Sequence, residues 1–190
     1  STNYKNPRDA VSESKGSISV KCSGDWSCAS TGNVAVTEKK ASTLSFTVPE
    51  NYKLASQEGK ITITSEHHKD GDKLEKTFTF TRPKYDFSVA EFKDKTAQPE
   101  GETITFSNLK CTGNLEAEIL PGDDGKIKTW LEIEQQPTDG VLKINVQKYS
   151  GGKNAEPREA QVILRSEHYE YNKEDLAKTI TISQNPLSSK

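Results

Sequence analysis

The chain has 190 residues, with 26 basic and 28 acidic side chains that give a formal net charge of -2. These charges are interspersed along the chain, which excludes the strong positive field typical of proteins that bind nucleic acid or an anionic membrane. Hydrophobic residues make up only 31% of the sequence, which favours two thin β domains over one large globule, because each strand then buries a single face. No apolar run approaches the roughly 18 residues of a membrane helix, so we predict no membrane-spanning segment.

The first half of the chain alternates apolar and polar residues with the period of two that is typical of half-buried β-strands. In the run at 44–48, for example, Leu44, Phe46 and Val48 share one face. Each such run ends at Gly, Pro or an Asp-Gly pair, which are turn signals. The alternation predicts four strands, at 17–20, 44–48, 61–64 and 77–81.

The second half repeats this scheme. The pair Asp139-Gly140 stands between two of its alternating runs and predicts a tight hairpin. We find no helical stripe, because the nearest candidate, residues 173–178, is too short to be stable alone. The alternation predicts five strands, at 103–106, 131–133, 142–146, 162–164 and 179–183.

Three landmarks occur twice in the same order, which indicates a duplicated domain. The first is Lys-Cys-Ser/Thr-Gly, the second is a β run that ends in Ser-Glu-His, and the third is a closing strand that runs into proline. They lie at 21–24 and 110–113, at 61–67 and 162–168, and at Pro83 and Pro186. We therefore predict an all-β protein with two tandem immunoglobulin-like β-sandwich domains, at residues 1–84 and 85–190.

Several of these motifs resemble the BACON domain, an immunoglobulin-like module of Bacteroidetes surface and secreted proteins. In the second copy, Trp130-Leu131-Glu132-Ile133 is similar to the Trp-Leu-x-Val strand of that family. Residues 157–166 are similar to its Arg-x-Ala strand, and 179–184 to its closing Thr-x-Thr-Ile-x-Gln strand. In the first copy Ser23-Gly24-Asp25-Trp26 matches the corner motif. There, however, 34–36 replaces the Trp-Leu strand and Gly59-Lys60 replaces Arg-x-Ala.

The resemblance implies a non-catalytic module of an exported protein, either a lipoprotein at the outer-membrane surface or a periplasmic protein. A chain that starts at Ser1 and contains no Met is compatible with a removed export signal. The family implies either a glycan-binding or mucin-binding role or a spacer role. It supplies no fixed set of binding residues that could be assigned to this chain.

Polar clusters give little support to catalysis or metal binding. His67 and His68 with Asp70 and Asp72 could form a cation site, but Asp70-Gly71-Asp72 is ordinary turn chemistry. The Asp123-Asp124-Gly125 triplet lacks the calcium-loop spacing and is also predicted to be a turn. No nucleophile motif or phosphate cradle occurs. We predict no catalytic residues, no metal site and no cofactor.

The three cysteines, Cys22, Cys28 and Cys111, form no C-x-x-C motif. Cys22 and Cys28 are close enough in sequence to pair across a turn if both point the same way. The alternative, which we favour, is that all three are small buried apolar side chains.

Aromatic side chains are the better candidates for a ligand site, because sugar rings stack on exposed Trp and Tyr faces. Trp26 is predicted to lie in the core. If Leu131 and Ile133 face inward, Trp130 faces outward, where it contacts solvent, the other domain or the loop at 113–128 that makes the second copy longer than the first. Tyr169 and Tyr171 are predicted to share one strand face, as a platform or as a pair that shields a hairpin, with Tyr149 on another loop.

Three functions remain open from the sequence. The first is a spacer or interaction scaffold that contacts another surface protein. The second is a carbohydrate-binding protein, with a polysaccharide partner held by Trp130, Tyr149, Tyr169 and Tyr171. The third is a subunit of a fimbria or adhesion assembly, in which an exposed edge strand pairs with a neighbour. The oligomeric state is not predicted.

Overall fold

The structure is a computed structural model that describes residues 12–67, 74–151 and 155–187. The chain divides into two compact units between Tyr85 and Asp86. They are called unit 1 and unit 2, and each is described by itself.

The described residues of unit 1 form six strands: β1 (Ser14–Ser19), β2 (Trp26–Gly32), β3 (Ala35–Lys39), β4 (Thr43–Val48), β5 (Gln57–Ser65) and β6 (Glu75–Arg82). They form two antiparallel three-stranded sheets, with the orders β1-β4-β3 and β2-β5-β6. Because each sheet buries one face, apolar side chains from both sheets form a core around Trp26, Val34, Leu44, Val48 and Ile61. Unit 1 is therefore a small β-sandwich.

In unit 2, residues 86–151 and 155–187 form nine strands and one 3-10 helix at Tyr169–Tyr171. The strands are β7 (Phe87–Ser88), β8 (Lys95–Ala97), β9 (Glu102–Phe106), β10 (Lys110–Cys111), β11 (Leu115–Ile119), β12 (Leu131–Thr138), β13 (Val141–Val146), β14 (Arg158–Ser166) and β15 (Ala177–Gln184). One sheet has the order β11-β14-β15-β8 and the other β12-β13-β9, while β7 pairs with β10. The strand β8 runs parallel to β15 and every other pair is antiparallel.

This arrangement confirms the predicted all-β, immunoglobulin-like sandwich. The core of unit 2 takes side chains from both sheets and also from the segment between β7 and β8. That segment contributes Phe92, which is fully buried with its ring centre 5.1 Å from that of Phe106. No helix among the described residues is long and apolar enough to cross a membrane.

The predicted hairpin at Asp139-Gly140 is confirmed. Both residues have positive φ, 51° and 76°, as a two-residue type I′ turn requires. The turn joins β12 to β13 and packs against Leu109, whose backbone N–H donates to the Gly140 carbonyl at 3.1 Å. A side chain at Gly140 has no room, because its Cβ would lie 2.7 Å from the Leu109 carbonyl oxygen.

The two units share their strand register. Val48 pairs with Ser14 in unit 1 as Val146 pairs with Glu102 in unit 2. The pairs Gln57–Arg82 and Arg158–Gln184 likewise join the start of one long strand to the end of the next. In unit 1 the glutamine is on the first strand of this pair and the arginine on the second, whereas in unit 2 the arginine is on the first strand and the glutamine on the second.

The same end of each sandwich is held by the exchanged arginine. Arg82 donates from Nε to the Pro49 carbonyl at 3.2 Å and from Nη2 to the Val48 carbonyl at 2.8 Å. In unit 2, Arg158 Nη2 donates to the Gln147 carbonyl at 2.6 Å, which lies just beyond β13 as Pro49 lies just beyond β4. Both guanidinium groups thus donate hydrogen bonds to backbone carbonyls at the point where a strand ends and the chain leaves its sheet.

Each strand predicted from alternation is present, as β1, β4, β5, β6, β9, β12, β13, β14 and β15. Strands that do not alternate were missed. In β2, for example, Trp26 is buried while Ala29 is exposed, because this strand presents mostly small polar side chains to solvent. The short strands β3, β7, β8, β10 and β11 were not predicted either.

Candidate functional site

Of the three positions considered for an outward-facing Trp130, contact with solvent is wrong. It lies in a turn just before β12, so the alternation of Leu131 and Ile133 does not extend to it, and only 9% of its surface is exposed. The guanidinium carbon of Arg158 lies 4.4 Å from the Trp130 ring centre and also 4.4 Å from that of Tyr149. Arg158 therefore lies within cation–π distance of both rings.

The remaining contacts of this cluster are polar and internal. Arg158 Nε donates to Gln184 Oε1 at 2.8 Å, and the Tyr149 hydroxyl donates to the Glu156 carbonyl at 2.9 Å. Gln184 is fully buried, and its Nε2 donates a hydrogen bond to the Gln98 carbonyl. Burial lowers the pKa of Arg158 from its ordinary value, because water solvates a charge better than a protein interior does. Trp130 and Tyr149 thus belong to a packed cluster around Arg158.

Tyr169 and Tyr171 lie on the 3-10 helix rather than on a strand, so the prediction of a shared strand face is wrong. With three residues per turn, side chains two positions apart point about 120° away from each other. Tyr171 is 67% exposed, and its ring centre lies 6.1 Å from that of His168. Tyr169 faces Lys173, whose Nζ lies 5.8 Å from the ring centre. The two rings therefore form no flat platform.

The repeated Ser-Glu-His motif forms the same corner in both units. In unit 1 the backbone N–H of His67 is bonded to Ser65 Oγ at 3.3 Å, and that of Glu66 to the Asp25 carbonyl at 2.9 Å. In unit 2, His168 and Glu167 bond in the same way to Ser166 and Asn114. The motif thus closes the end of a strand in each sandwich.

The cation site considered at His67 and His68 cannot be placed as a whole, because His68, Asp70 and Asp72 lie outside the described residues. Within residues 12–67, 74–151 and 155–187, no group of three or more His, Cys, Asp or Glu side chains is arranged to hold a metal ion.

The cysteines are less buried than predicted. Cys22 is exposed and Cys28 and Cys111 are half-buried, and none of the three is part of a disulfide. The Cys22 Sγ lies 3.6 Å from Ser65 Oγ at the corner described above. Cys22 is exposed because it lies in the link between β1 and β2, outside either sheet.

The Asp123-Asp124-Gly125 segment is a turn, as predicted. Asp124 accepts the Lys126 backbone N–H at 3.1 Å and forms an ion pair with Lys128 at 3.1 Å. These contacts, with the backbone bond the largest, hold the pKa of Asp124 below its ordinary value. Asp124 is thus engaged within its own loop.

The feature that sequence reasoning missed is an apolar cleft of about 480 Å³ in unit 1. It is lined by β1 and the link that follows it, and by parts of β2, β5 and β6. The exposed Leu74 and Cys22 lie among its lining residues. Its apolar lining residues include Ile18, Val20, Trp26, Ile63 and Phe78. The sequence signal for this cleft was the pair Phe78 and Phe80, which alternation places on one face of β6. It did not reveal the cleft, because the sequence does not show where β6 lies in its sheet.

Comparisons with known proteins add little to this geometry. No family model matches the chain, so the BACON resemblance stays a prediction. No curated protein matches either.

The structure search matches a titin Z1Z2 fragment in complex with telethonin, at 10% identity and a TM-score of 0.33, covering 94% of this chain and 90% of that one. A titin I67–I69 fragment has 7% identity and a TM-score of 0.42, covering 92% and 59%. The human desmocollin-1 ectodomain has 13% identity and a TM-score of 0.33, covering 85% and 34%. Likenesses of this strength carry no conclusion about function.

Proposed function

We propose that this protein is a non-catalytic interaction scaffold of an exported protein, in which unit 1 contacts a protein partner through its apolar cleft. The observation that carries the proposal is the cleft itself, where Leu74, 39% exposed, lies beside the half-buried Phe78. Apolar side chains that stay exposed among the described residues are less favourable in water than in a contact, so burying them against a partner would lower the free energy. The export of the protein, to the cell surface or periplasm, is supported by the BACON resemblance alone.

The scaffold role is favoured over carbohydrate binding by the state of the aromatic candidates. Trp130 is buried, and Arg158 lies over one face of the half-buried Tyr149, so neither is a fully exposed ring of the kind on which a sugar stacks. Tyr171 is the exposed exception. A calorimetric titration with host and plant polysaccharides tests the difference. Binding that is lost in Tyr171→Ala would favour the carbohydrate role and count against the scaffold.

A direct test places a photo-crosslinking amino acid at Leu74 and, as a matched control, at the exposed Ile127 of unit 2. In cells that export the protein, we expect a discrete crosslinked protein adduct from position 74 and none from position 127. Adducts of equal yield from both positions, or no adduct from position 74, would contradict the scaffold role.

A further inference from the structure

The edge strand β11 of unit 2 is closed by a side chain from the opposite sheet. The Leu120 N–H donates to the Gln161 carbonyl of β14, so the alternation of an antiparallel ladder points the backbone groups of Ala117 away from β14. The Gln136 amide of β12 bonds to both groups. The Ala117 N–H donates to Gln136 Oε1 at 2.9 Å, and Gln136 Nε2 donates to the Ala117 carbonyl at 3.0 Å. Gln136 thus takes the place of a neighbouring strand, and Ala117 is buried.

The strand β2 of unit 1 has the position that β11 has in unit 2. Cys28 is the counterpart of Ala117, because each lies six residues after the cysteine of its Lys-Cys landmark and pairs with the same position of the next strand. The Asp25 carbonyl accepts the N–H of Glu66, just after β5. The same alternation therefore points the backbone groups of Cys28 and Ser30 away from β5.

The edge of β2 lacks the side chain that closes β11. The counterpart of Gln136 is Lys39, because both lie three residues after the last regular pair before the first bulge of their strand. Lys39 Nζ lies 4.6 Å from the Trp26 ring centre, and an ammonium group has no acceptor for the Cys28 N–H. No described group of unit 1 bonds to the outward backbone of Cys28 or Ser30. Cys28 is accordingly half-buried and Ser30 is exposed.

The outer face of β2 also lacks the charges of β11. Ser27 and Ala29 lie at the positions that Glu116 and Glu118 have in unit 2. The seven residues of β2 include no charged residue and no proline, and they pair with β5 without a bulge. Natural sheets protect an open edge with charges, prolines, bulges or a covering group. Within the described part of the chain β2 has none of these, whereas β11 has two glutamates and Gln136.

We infer that β2 is the interface of a symmetric dimer, in which the β2 strands of two copies of this chain pair antiparallel. The partner is a second copy because β2 is complementary to itself. In the register that pairs the whole strand, Ala29 lies opposite Ala29, Ser27 lies opposite Thr31, and the outward backbone groups of Cys28 bond to those of Ser30. These opposing side chains are small and uncharged, so the two backbones can approach to hydrogen-bonding distance.

This dimer goes beyond the proposed scaffold role and does not rest on it. The residues at its centre, from Ser27 to Thr31, do not line the apolar cleft. The sheets β2-β5-β6 of two copies would join edge to edge into one continuous sheet, with main-chain hydrogen bonds across the dimer axis.

Analytical ultracentrifugation of the full 190-residue protein under reducing conditions tests the dimer. We expect a reversible dimer with a dissociation constant on the order of 10–100 µM. Ala29→Glu should weaken it at least ~10-fold, because two like charges then lie opposite each other at the dimer axis. The matched control is Thr79→Glu, which adds the same charge to the same outer face, at an exposed position of β6 opposite Lys60. It should leave dimerisation unchanged. A chain that stays monomeric up to about 1 mM, or equal dimerisation of the two variants, would overturn the inference.

Hydrogen exchange measured by NMR at about 1 mM identifies the strand that pairs. The amides of Cys28 and Ser30 should exchange at least ~10-fold more slowly in the unmodified protein than in Ala29→Glu. The amide of Thr31 points toward β5 and should be protected in both proteins. Amides of Cys28 and Ser30 that exchange equally fast in the two proteins would count against pairing through β2.

Disulfide crosslinking tests the register, in a variant whose three native cysteines are replaced by alanine. Ala29→Cys should give an intermolecular disulfide on mild oxidation, because directly opposite residues of a non-hydrogen-bonded antiparallel pair have Cα atoms about 4.5 Å apart. Thr31→Cys is the matched control on the same face, and it should not crosslink because it lies opposite Ser27. No disulfide from Ala29→Cys, or equal yields from the two variants, would overturn the self-paired strand.

Discussion

The guanidinium carbon of Arg158 lies 4.4 Å from the centre of the Trp130 ring, and the same group donates to Gln184, a fully buried side chain. This contact joins the start of β14 to the turn before β12, which belongs to the opposite sheet of unit 2. One charged side chain thus contributes a cation–π contact and buried hydrogen bonds at once.

Replacement of Arg158 by lysine is expected to destabilise unit 2 by about 1–3 kcal/mol, although the charge is kept. Lysine lacks the planar fork, so it cannot stack on Trp130 while it also donates to Gln184 and Gln147. The measurement is urea denaturation followed by Trp130 fluorescence in a Trp26→Phe background. As the control, Arg165→Lys changes an ion pair with Glu118 on the surface and should cost at most about 1 kcal/mol. Equal losses in the two variants would show that the stacked geometry contributes nothing.

The exchanged arginine and glutamine of the two units predict a compensating pair of substitutions in unit 1. Arg82→Gln is expected to destabilise unit 1 by about 2–4 kcal/mol, because the carbonyls of Val48 and Pro49 lose a charged donor in a buried place. The double variant Gln57→Arg/Arg82→Gln reproduces the arrangement of unit 2 and should recover roughly half of that loss. Trp26 fluorescence in a denaturant titration measures both. A double variant no more stable than Arg82→Gln would mean that the two positions do not substitute for each other.

Gly140 and Gly125 both have positive φ, 76° and 71°, but their surroundings differ. A Cβ at Gly140 would lie 2.7 Å from the Leu109 carbonyl oxygen, whereas one at Gly125 would meet nothing within 4 Å. We therefore expect Gly125→Ala to cost about 1 kcal/mol from backbone strain alone, and Gly140→Ala to cost at least about 2 kcal/mol. Thermal unfolding of the two variants compares these effects. If both variants lose the same stability, strain rather than the contact with Leu109 explains the glycine in the hairpin.

Asp124 is expected to titrate below the ordinary aspartate pKa, because the Lys126 backbone N–H and then the Lys128 ammonium stabilise its charged form. Since the folded pKa is lower than the unfolded one, the contribution of this carboxylate to stability is present above the unfolded pKa. It is lost as the pH falls through the folded pKa. Lys128→Gln should raise the pKa of Asp124 only part of the way, because the backbone donor remains. Carboxyl carbon NMR measures the titration, and a return to the full ordinary value in Lys128→Gln would contradict the leading role of the backbone bond.

The strands and the fold class could be read from the chain because their signal is local. In 44–48 and 142–146 the period of two fixes which side chains face inward, and Leu44, Val48, Leu142 and Ile144 are buried accordingly. The hairpin at Asp139-Gly140 was equally local, because the positive φ values of a type I′ turn favour these residue types.

The candidate site could not be read in this way, because its geometry depends on residues distant in sequence. Trp130 is buried through Arg158, a residue 28 positions away on another strand, and alternation fails at Trp130 because the strand starts one residue later. Tyr169 and Tyr171 diverge because the chain turns as a 3-10 helix after β14. The cleft of unit 1 depends on which strand lies beside β6. The apolar and polar residues of a strand alternate in the same way whether or not its edge pairs with another strand, so the sequence does not show this neighbour. Local alternation therefore specifies the strands and their inward faces, whereas the neighbours of each edge and turn are set by long-range packing.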